Sequence, residues 1–568
     1  MADKMLVVTE KPSVARAIEG VIKPKAEIVA LSGHMLNLDF PEKYSNWWNT
    51  NPKDLFHVET KWVIADKRAY EALTGALKGA GDPIVLATDN DHEGELIAYE
   101  ALLTAQNILG KPRYMRMRFN TVSEGELKDA WSRFEPDLNW GWVRKALFRQ
   151  KFDLIVGAAY TRLLTISARR AGQNVKLISY GSCQTPKILV NSCQTPTLWF
   201  VYERDLSIRN FKPETYYVVW AILDNRGVKV KVSTESLRDK AKAKAIYEDA
   251  GKAKDAVVKE YALNVEGEQK PLPTDTDTML QELTRILGLS SNKIMSAAED
   301  LYANGYISYP RTETNMWVRV DHKEVLDVLS RTPLSRFIHY KDFSPVNGKK
   351  NDGAHPPIHP IKPYLGKDVS GRIWEYIARR YLANTVGRNA VFERWKLRVD
   401  VNGVKMDAVG RYIVEEGFYE VFPYFRPKDL QWIPELKNGQ ILPILEVGLS
   451  ERKTKPPSHL TESELLRLME RHGIGTDATR HIFPTLIVNR GYAVKKRRSF
   501  LLTNQGEALI KMLRGVDGRL VTPETRRYVE QMMIEVESGR LNLEEALSQS
   551  IKIYEQLYDE LSKRLSGR

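Results

Sequence analysis

The sequence predicts a multidomain α/β plus α+β protein, and three features of its 568 residues carry that expectation. The length is several times that of a usual domain of roughly 100–200 residues, so more than one packed core is required. Two strand–turn–helix units open the chain. Farther on, two strand-rich stretches flank a mostly helical middle, and the tail returns to helices around one basic hairpin.

The first unit is the apolar run LVVTE, followed by Lys11-Pro12-Ser13 and the helical pattern VARAIEGVI; proline is tolerated in a first helical turn. The second sets Asp82-Pro83 before the run IVLA, then TDNDHEGE and the helix ELIAYEALLTAQNIL. Alternating strands and helices imply a parallel sheet with helices on its faces, assigned to a domain at 1–140. YMRMRFN alternates as a further strand, and Ser123 precedes the helix EGELKDAWSRF. A segment at 141–210 begins with a long helix over about 142–170 that carries Arg144, Lys145, Arg149, Arg162, Arg169 and Arg170. On a globular helix such residues form a solvated face as readily as a DNA-facing one. The direct repeat SCQTPKILVN (182–191) and SCQTPTLWF (192–200) follows and holds the only cysteines, Cys183 and Cys193. Two cysteines without a CxxC pair support neither a disulfide framework nor a zinc ribbon.

Period-two patterns in TYYVVW, VKVKV and WKLRVDV mark the outgoing (211–270) and returning (366–425) parts of one β-rich layer. Between them, 271–365 is helical, with TDTMLQELTRILG and then SSNKIMSAAEDLYANG, which has Ser290 or Ser291 as a cap and Gly305 past its end. In 426–568, the run TESELLRLMERHG, TDATRHIFPTLIVNRG and YAVKKRRSFLLT reads as a winged helix-turn-helix, with Lys495 to Arg498 at the hairpin tip as a phosphate-attracting group. Two amphipathic helices begin near Thr522 and Asn542.

A formal charge of +13 suits a phosphate-rich partner or an acidic membrane surface. No stretch approaches 18 uninterrupted apolar residues and no signal-peptide core precedes the first strand, so a soluble intracellular protein without a membrane partner is expected.

Asp89, Asp91 and Glu93 stand at alternate positions beyond a buried strand, where parallel sheets present side chains to a ligand crevice. Three such carboxylates repel one another unless a cation sits among them, and hard oxygen donors favour Mg²⁺. Acidic clusters are commonly exposed loops, but those seldom lie between an apolar strand and an apolar helix. Glu10 ends the first strand in the same way, and Lys11 beside it suits a phosphate. In LYANGYISYPRTETN (301–315), Pro310 disfavours helix at Tyr309, and Arg311 can reach the same phosphate as the tyrosine. A phenol with a pKa near 10 needs such cations to act as a nucleophile. Seen alone, a tyrosine here is usually structural.

TEKPSVARAI and ATDNDHEGELIA resemble the two signature stretches of a Toprim domain, with Glu10 as its lone glutamate and Asp89, Asp91 and Glu93 as its DxDxE. Toprim domains occur in topoisomerases, bacterial primases and some nucleases. The stretch 301–315 resembles the active-site segment of type IA DNA topoisomerases, AHPPIHP (354–360) their histidine segment, and LMERHGIGTDATRHIFPTLIVNRGY a further signature. The doubled histidine, His355 and His359, looks most like the topoisomerase III branch.

The resemblance implies a toroid of an N-terminal Toprim α/β domain, a β-rich arch, and helical and winged-helix-like domains. It implies an ATP-independent enzyme, in keeping with the lack of a P-loop, that cuts one strand through a 5′-phosphotyrosyl bond and relaxes negative supercoils or decatenates DNA. Tyr309, Glu10, Lys11, Arg311 and His355 are the implied catalytic set. Glu10, Asp89, Asp91 and Glu93 are the implied Mg²⁺ ligands, and His92, Arg162, Gln184, Gln194, His359 and Arg480 the DNA contacts. The expected partners are single-stranded segments of underwound DNA, a helicase and a single-strand-binding protein. A monomer is expected, cytoplasmic and nucleoid-associated, or nuclear in a eukaryote. The alternatives are a Toprim nuclease and a catalytically impaired DNA-binding or annealing protein. Two departures bear on them: His92 stands where the family has arginine, and removing 182–191 would restore the family's single SYGSCQTPTLWF, leaving Gln184 and Gln194 as rivals for one position.

Overall fold

The computed structural model describes residues 4–22, 26–172, 178 and 193–566. Four parallel strands, β1 (Lys4–Thr9), β2 (Ala26–Ala30), β5 (Ala80–Ala87) and β6 (Tyr114–Arg116), form a sheet in the order β2-β1-β5-β6. A separate antiparallel pair joins β3 (Leu36–Asp39) to β4 (Lys61–Ile64). Alternation along the strands sends Leu6, Val8, Ile84 and Leu86 into one core with α2 (Lys67–Leu77) and α3 (His92–Leu109). Val7 and Val85 point to the opposite face, toward α1 (Pro12–Ile22) and α4 (Glu124–Ser132). That second core continues into Met279, Leu301 and Tyr309. The strand pattern at the N-terminus therefore already commits one sheet face to the domain that carries the tyrosine.

A 31-residue helix, α5 (Trp140–Arg170), leaves the sheet and is buried along most of its length. It shares a core with α6 (Gln194–Arg209) and the C-terminal helices through Phe152, Tyr160, Leu198, Leu465, Val529 and Leu557.

The β-rich layer is a closed barrel of β7 (Thr215–Asn225), β8 (Val228–Ser233), β9 (Asp255–Glu268), β10 (Ala390–Val401), β11 (Val404–Glu415) and β12 (Ile441–Lys453). Its two tight hairpins turn at Arg226-Gly227 and Asn402-Gly403, all four residues at positive φ, as two-residue turns between twisted strands demand. α7 (Lys240–Gly251) lies against β7 and β12. The barrel reaches past the expected 366–425 to take in β12, because only that strand pairs β7 on one side and β9 on the other and so removes the open edge. Conversely α11 (Val369–Thr385), inside 366–425, leaves the barrel: its Ile373, Trp374, Ile377 and Tyr381 pack with α8 (Thr276–Leu287), α9 (Ser291–Ala303) and α10 (His322–Ser330). Ser290, not Ser291, caps α9, and Gly305 follows it at φ +75.

The tail contains α12 (Glu462–Arg471), opened by a Thr461/Glu464 capping box, α13 (Phe483–Asn489), the hairpin of β13 (Ala493–Lys496) and β14 (Ser499–Leu502), and α14 (Asn504–Arg514), α15 (Pro523–Glu537) and α16 (Leu543–Ser566). At the hairpin tip two of the four cations have protein partners. Lys495 pairs with Glu462 at 2.5 Å and Arg498 donates to the Arg285 carbonyl at 3.0 Å, so these two hold the tail against neighbouring chain. Among the described residues no helix is long and apolar enough to cross a membrane.

Candidate active site

The crevice forms where β1 and β5 end side by side, in parallel register from Val7↔Val85 to Thr9↔Ala87. Beyond β5 the chain bends into α3, whose N-cap is Asp91; its Oδ1 accepts from Gly94 N at 2.7 Å. A Cβ at Gly94 would lie 2.1 Å from the Asp89 carbonyl, so this bend admits only glycine there. The fully buried Arg116 fixes the same loop, donating to the carbonyls of Leu86, Thr88 and Asp89 while paired with the buried Glu95 at 3.0 Å.

Tyr309 arrives from the helical domain on an extended segment held from both sides. Its N–H donates to the Asn120 carbonyl at 2.9 Å, and Ser308 N to the His359 carbonyl at 3.0 Å. Its hydroxyl donates to Asp91 Oδ2 at 2.5 Å, a contact between residues 218 positions apart. The ring stacks on His355 at 5.0 Å and meets Tyr302 edge-on at 5.0 Å. Lys11 Nζ donates to Asp89 Oδ2 at 2.8 Å. Arg311 pairs with Glu299 and acts on Asp91 and Tyr309 by charge. His355 Nδ1 lies 3.1 Å from Asp352, and its buried Nε2 has no partner among the described residues.

Desolvation in the crevice, and next Asp89, push the Glu10 carboxyl up to about 8, with Lys11 opposing and Asp91 adding to the rise. Burial raises the Tyr309 phenol well above its ordinary value, as do Asp91 and Asp89, against Arg311. Burial alone would lower the His355 imidazole, but the hydrogen bond and charge of Asp352 raise it. A phosphate entering here would therefore meet Lys11, Arg311 and a histidine biased toward its cation.

Glu10, Asp89 and Asp91 fit Mg²⁺ by their chemistry: hard oxygens crowded into one low-dielectric crevice, with Glu10 accepting no hydrogen bond among the described residues. As the side chains stand, no three His, Cys, Asp or Glu among the described residues converge on one point, because Asp89 faces Lys11 and Asp91 faces Tyr309. Glu93 fits less well. One oxygen pairs with Arg149 and the other lies 3.1 Å from His34 Nε2, whose Nδ1 in turn lies 2.6 Å from Glu100. Burial would raise the Glu93 carboxyl, but Arg149 and then His34 hold it far below the usual range.

The remaining expected DNA contacts scatter. His92 borders the crevice with its ring 6.3 Å from Trp142, its Nε2 without a partner among the described residues, and its pKa lowered by burial and then by Lys145. His359 is 4 % exposed, its Nδ1 lies 2.7 Å from the Pro357 carbonyl, and burial pushes it down to about 4, so it props the tyrosine segment as a neutral ring. Arg162 is only 2 % exposed: it donates to the Tyr44 carbonyl at 2.6 Å and lies over Trp47, so the cation is enclosed within the fold instead of facing solvent. Gln194 is buried at the start of α6; Gln184 and all of the 182–191 copy lie outside the described residues.

Arg480, 4 % exposed, pairs with Asp277 and donates to the carbonyls of Ile474 at 3.1 Å and Gly475 at 2.6 Å, clamping α8 to the turn after α12. Burial pushes Asp277 up to about 6 even beside this arginine. Arg480→Ala is expected to cost about 3 kcal/mol by stranding a buried carboxylate. Adding Asp277→Asn should return part of that loss in a double-mutant cycle of denaturation midpoints; additive losses would show the pair is not coupled.

Sequence reasoning passed over Tyr302, His34 and the Arg149–Glu93 pair. Tyr302 had one legible signal, its place seven residues before the nucleophile candidate. His34 and Arg149 had none, since their partners lie 59 and 56 positions away.

The DNA topoisomerase family matches residues 137–548, and the Toprim domain family residues 5–122. DNA topoisomerase 1 of Archaeoglobus fulgidus is 30% identical over 100% of this chain and 86% of its own. DNA topoisomerase 1 of Thermoplasma acidophilum is 31% identical over 93% of this chain and 67% of its own. For DNA topoisomerase 3-beta-1 of Homo sapiens the values are 29%, 99% and 70%. Full-length topoisomerase I from Thermotoga maritima shares the fold at a TM-score of 0.77 and 23% identity, covering 98% of this chain and 90% of that one.

Proposed function

This chain belongs to the type IA DNA topoisomerases, an enzyme that binds DNA and passes strands, and from that premise we propose that Tyr309 is the residue that breaks and holds the strand. The observation that carries the reading is the 2.5 Å contact between the Tyr309 hydroxyl and Asp91, which unites a phenol and an acidic loop from opposite parts of the chain.

In the proposed reaction the phenol oxygen attacks a backbone phosphorus in line. A Tyr309 O–P bond forms, the bond from phosphorus to the 3′ oxygen breaks, and the phenol proton passes by way of Asp91 to solvent, so that Asp91 remains a carboxylate. Glu10 is the proposed acid: it gives a proton to the departing oxygen, which leaves as a free 3′ hydroxyl. Lys11, Arg311 and His355 hold the charge that builds on the phosphoryl oxygens. Religation is the reverse, and because the covalent bond keeps the phosphodiester energy no ATP is consumed. Glu10, Asp89 and Asp91 are the proposed holders of Mg²⁺, which when bound neutralises charge around the scissile phosphate. One chain supplies both tyrosine and acids, which supports action as a monomer. A helicase and a single-strand-binding protein, which generate unpaired DNA, are the partners proposed.

The test is a single-stranded oligonucleotide labelled at its 3′ end, incubated with protein and Mg²⁺ and then denatured. The label is expected on the protein, through the new 5′ phosphate. Relaxation of supercoiled DNA without any adduct would rule the mechanism out, and free cut fragments without adduct would favour a nuclease.

A further inference from the structure

We propose that Tyr302 is a positioning residue of the cleavage centre, holding Lys11 and Asp89 in register with the ring of Tyr309. Tyr302 lies one residue before the end of α9 and is fully buried. It touches three groups of the site at once. Its ring edge meets the Tyr309 ring at 5.0 Å and 75°. Lys11 Nζ sits over its face, 5.4 Å from the centroid. Its hydroxyl donates to Asp89 Oδ1 at 3.4 Å, the oxygen that Lys11 does not take.

Each contact has a separate physical consequence. His355 stacked on the Tyr309 ring and Tyr302 set across it at a steep angle together limit how that ring can turn, and so where its hydroxyl points. The face of Tyr302 gives the ammonium of Lys11 a second favourable place, so Lys11 can turn from Asp89 toward a phosphate without entering open solvent. The weak hydroxyl contact orients Asp89 as Lys11 leaves it. Burial, then Asp89, push the Tyr302 phenol well above its ordinary value.

The placement also couples chemistry to geometry. Lys11 and Asp89 lie just beyond β1 and β5 of the N-terminal sheet, whereas Tyr302 and Tyr309 come from the helical domain, seven residues apart on one continuous stretch. The element that docks the nucleophile thus also delivers the residue that sets its partners.

The inference rests on Tyr309 as nucleophile, and its test separates the two. Tyr302→Phe keeps the ring and loses the hydroxyl; Tyr302→Met fills a similar volume without a ring face. Single-turnover cleavage of the 3′-labelled oligonucleotide, its Kd by anisotropy and thermal melting are measured for each. Tyr302→Met is expected to slow cleavage on the order of 10²-fold with Kd within about two-fold, and Tyr302→Phe to recover to within about five-fold of the parent. Wild-type cleavage by Tyr302→Met, or a loss of cleavage matched by an equal loss of DNA binding, would overturn the proposal. Where Tyr302→Met lowers melting, the cycle with Lys11→Met decides: a positioning role predicts that Tyr302→Met adds little once Lys11 is gone, and equal fold losses in both backgrounds would overturn it. A parent protein without adduct refutes the nucleophile instead.

Discussion

Tyr309→Phe is expected to abolish the protein–DNA adduct and to lower plasmid relaxation roughly 10⁴-fold or more, since no other group can replace a covalent nucleophile. The variant should fold. The ring keeps its stacking on His355 and its edge contact with Tyr302, and the backbone N–H of residue 309 still reaches the Asn120 carbonyl. Only the hydroxyl disappears, leaving Asp91 with its Gly94 contact. Binding of single-stranded DNA should stay within a few-fold, because Lys11, Arg311 and His355 remain. Relaxation measured on supercoiled plasmid is the readout, and a variant that still relaxes it would remove Tyr309 from the mechanism.

The second large effect is expected from Asp89→Asn combined with Asp91→Asn. Both replacements keep size and hydrogen bonding: asparagine is as good an N-cap as aspartate at position 91, and at 89 it can still accept from Lys11. What is lost is two negative charges next to Glu10, one of them the Asp91 carboxylate that takes the Tyr309 proton. Activity is expected to fall about 10²–10³-fold, with the Mg²⁺ concentration for half-maximal activity displaced upward. Glu93→Gln should behave differently. Both Glu93 oxygens already serve Arg149 and His34, so its loss is expected to loosen α5 against the acidic loop and leave the Mg²⁺ midpoint where it was. A magnesium titration on all three proteins checks this; an unchanged midpoint in the double variant would exclude Asp89 and Asp91 as the metal site, and a displaced one in Glu93→Gln would restore Glu93 to it.

Much of the architecture was legible because it is written locally. Apolar runs bounded by Pro, Gly and Asp mark β1 and β5. Ser caps mark α4 and α9, whereas the barrel turns at Asn402-Gly403 and Arg226-Gly227 emerged only with the fold. Domain membership was less legible. β12 lies in what reads as the winged-helix-like tail and α11 in what reads as the returning part of the β-rich layer, and neither segment states which core it joins. Both answers depend on closing a six-stranded barrel from segments more than 200 residues apart.

The candidate site divides along the same line. By its own order of residues the chain determined which groups have the chemistry: Glu10, Asp89 and Asp91 after apolar strands, Tyr309 before a proline with Arg311 next to it, and His355 in a separate segment singled out by its resemblance to the family's. Those properties belong to side-chain type and immediate backbone, which tertiary context does not alter. Only the folded structure decided what each group faces. It set Tyr309 on Asp91, gave both oxygens of Glu93 to Arg149 and His34, enclosed Arg162 against Trp47, and brought Tyr302 beside Lys11. A carboxylate reads the same in sequence whether it awaits a cation or already holds one. The difference is made by charges that arrive from distant segments, and in a low-dielectric crevice those charges outweigh anything their sequence neighbours contribute.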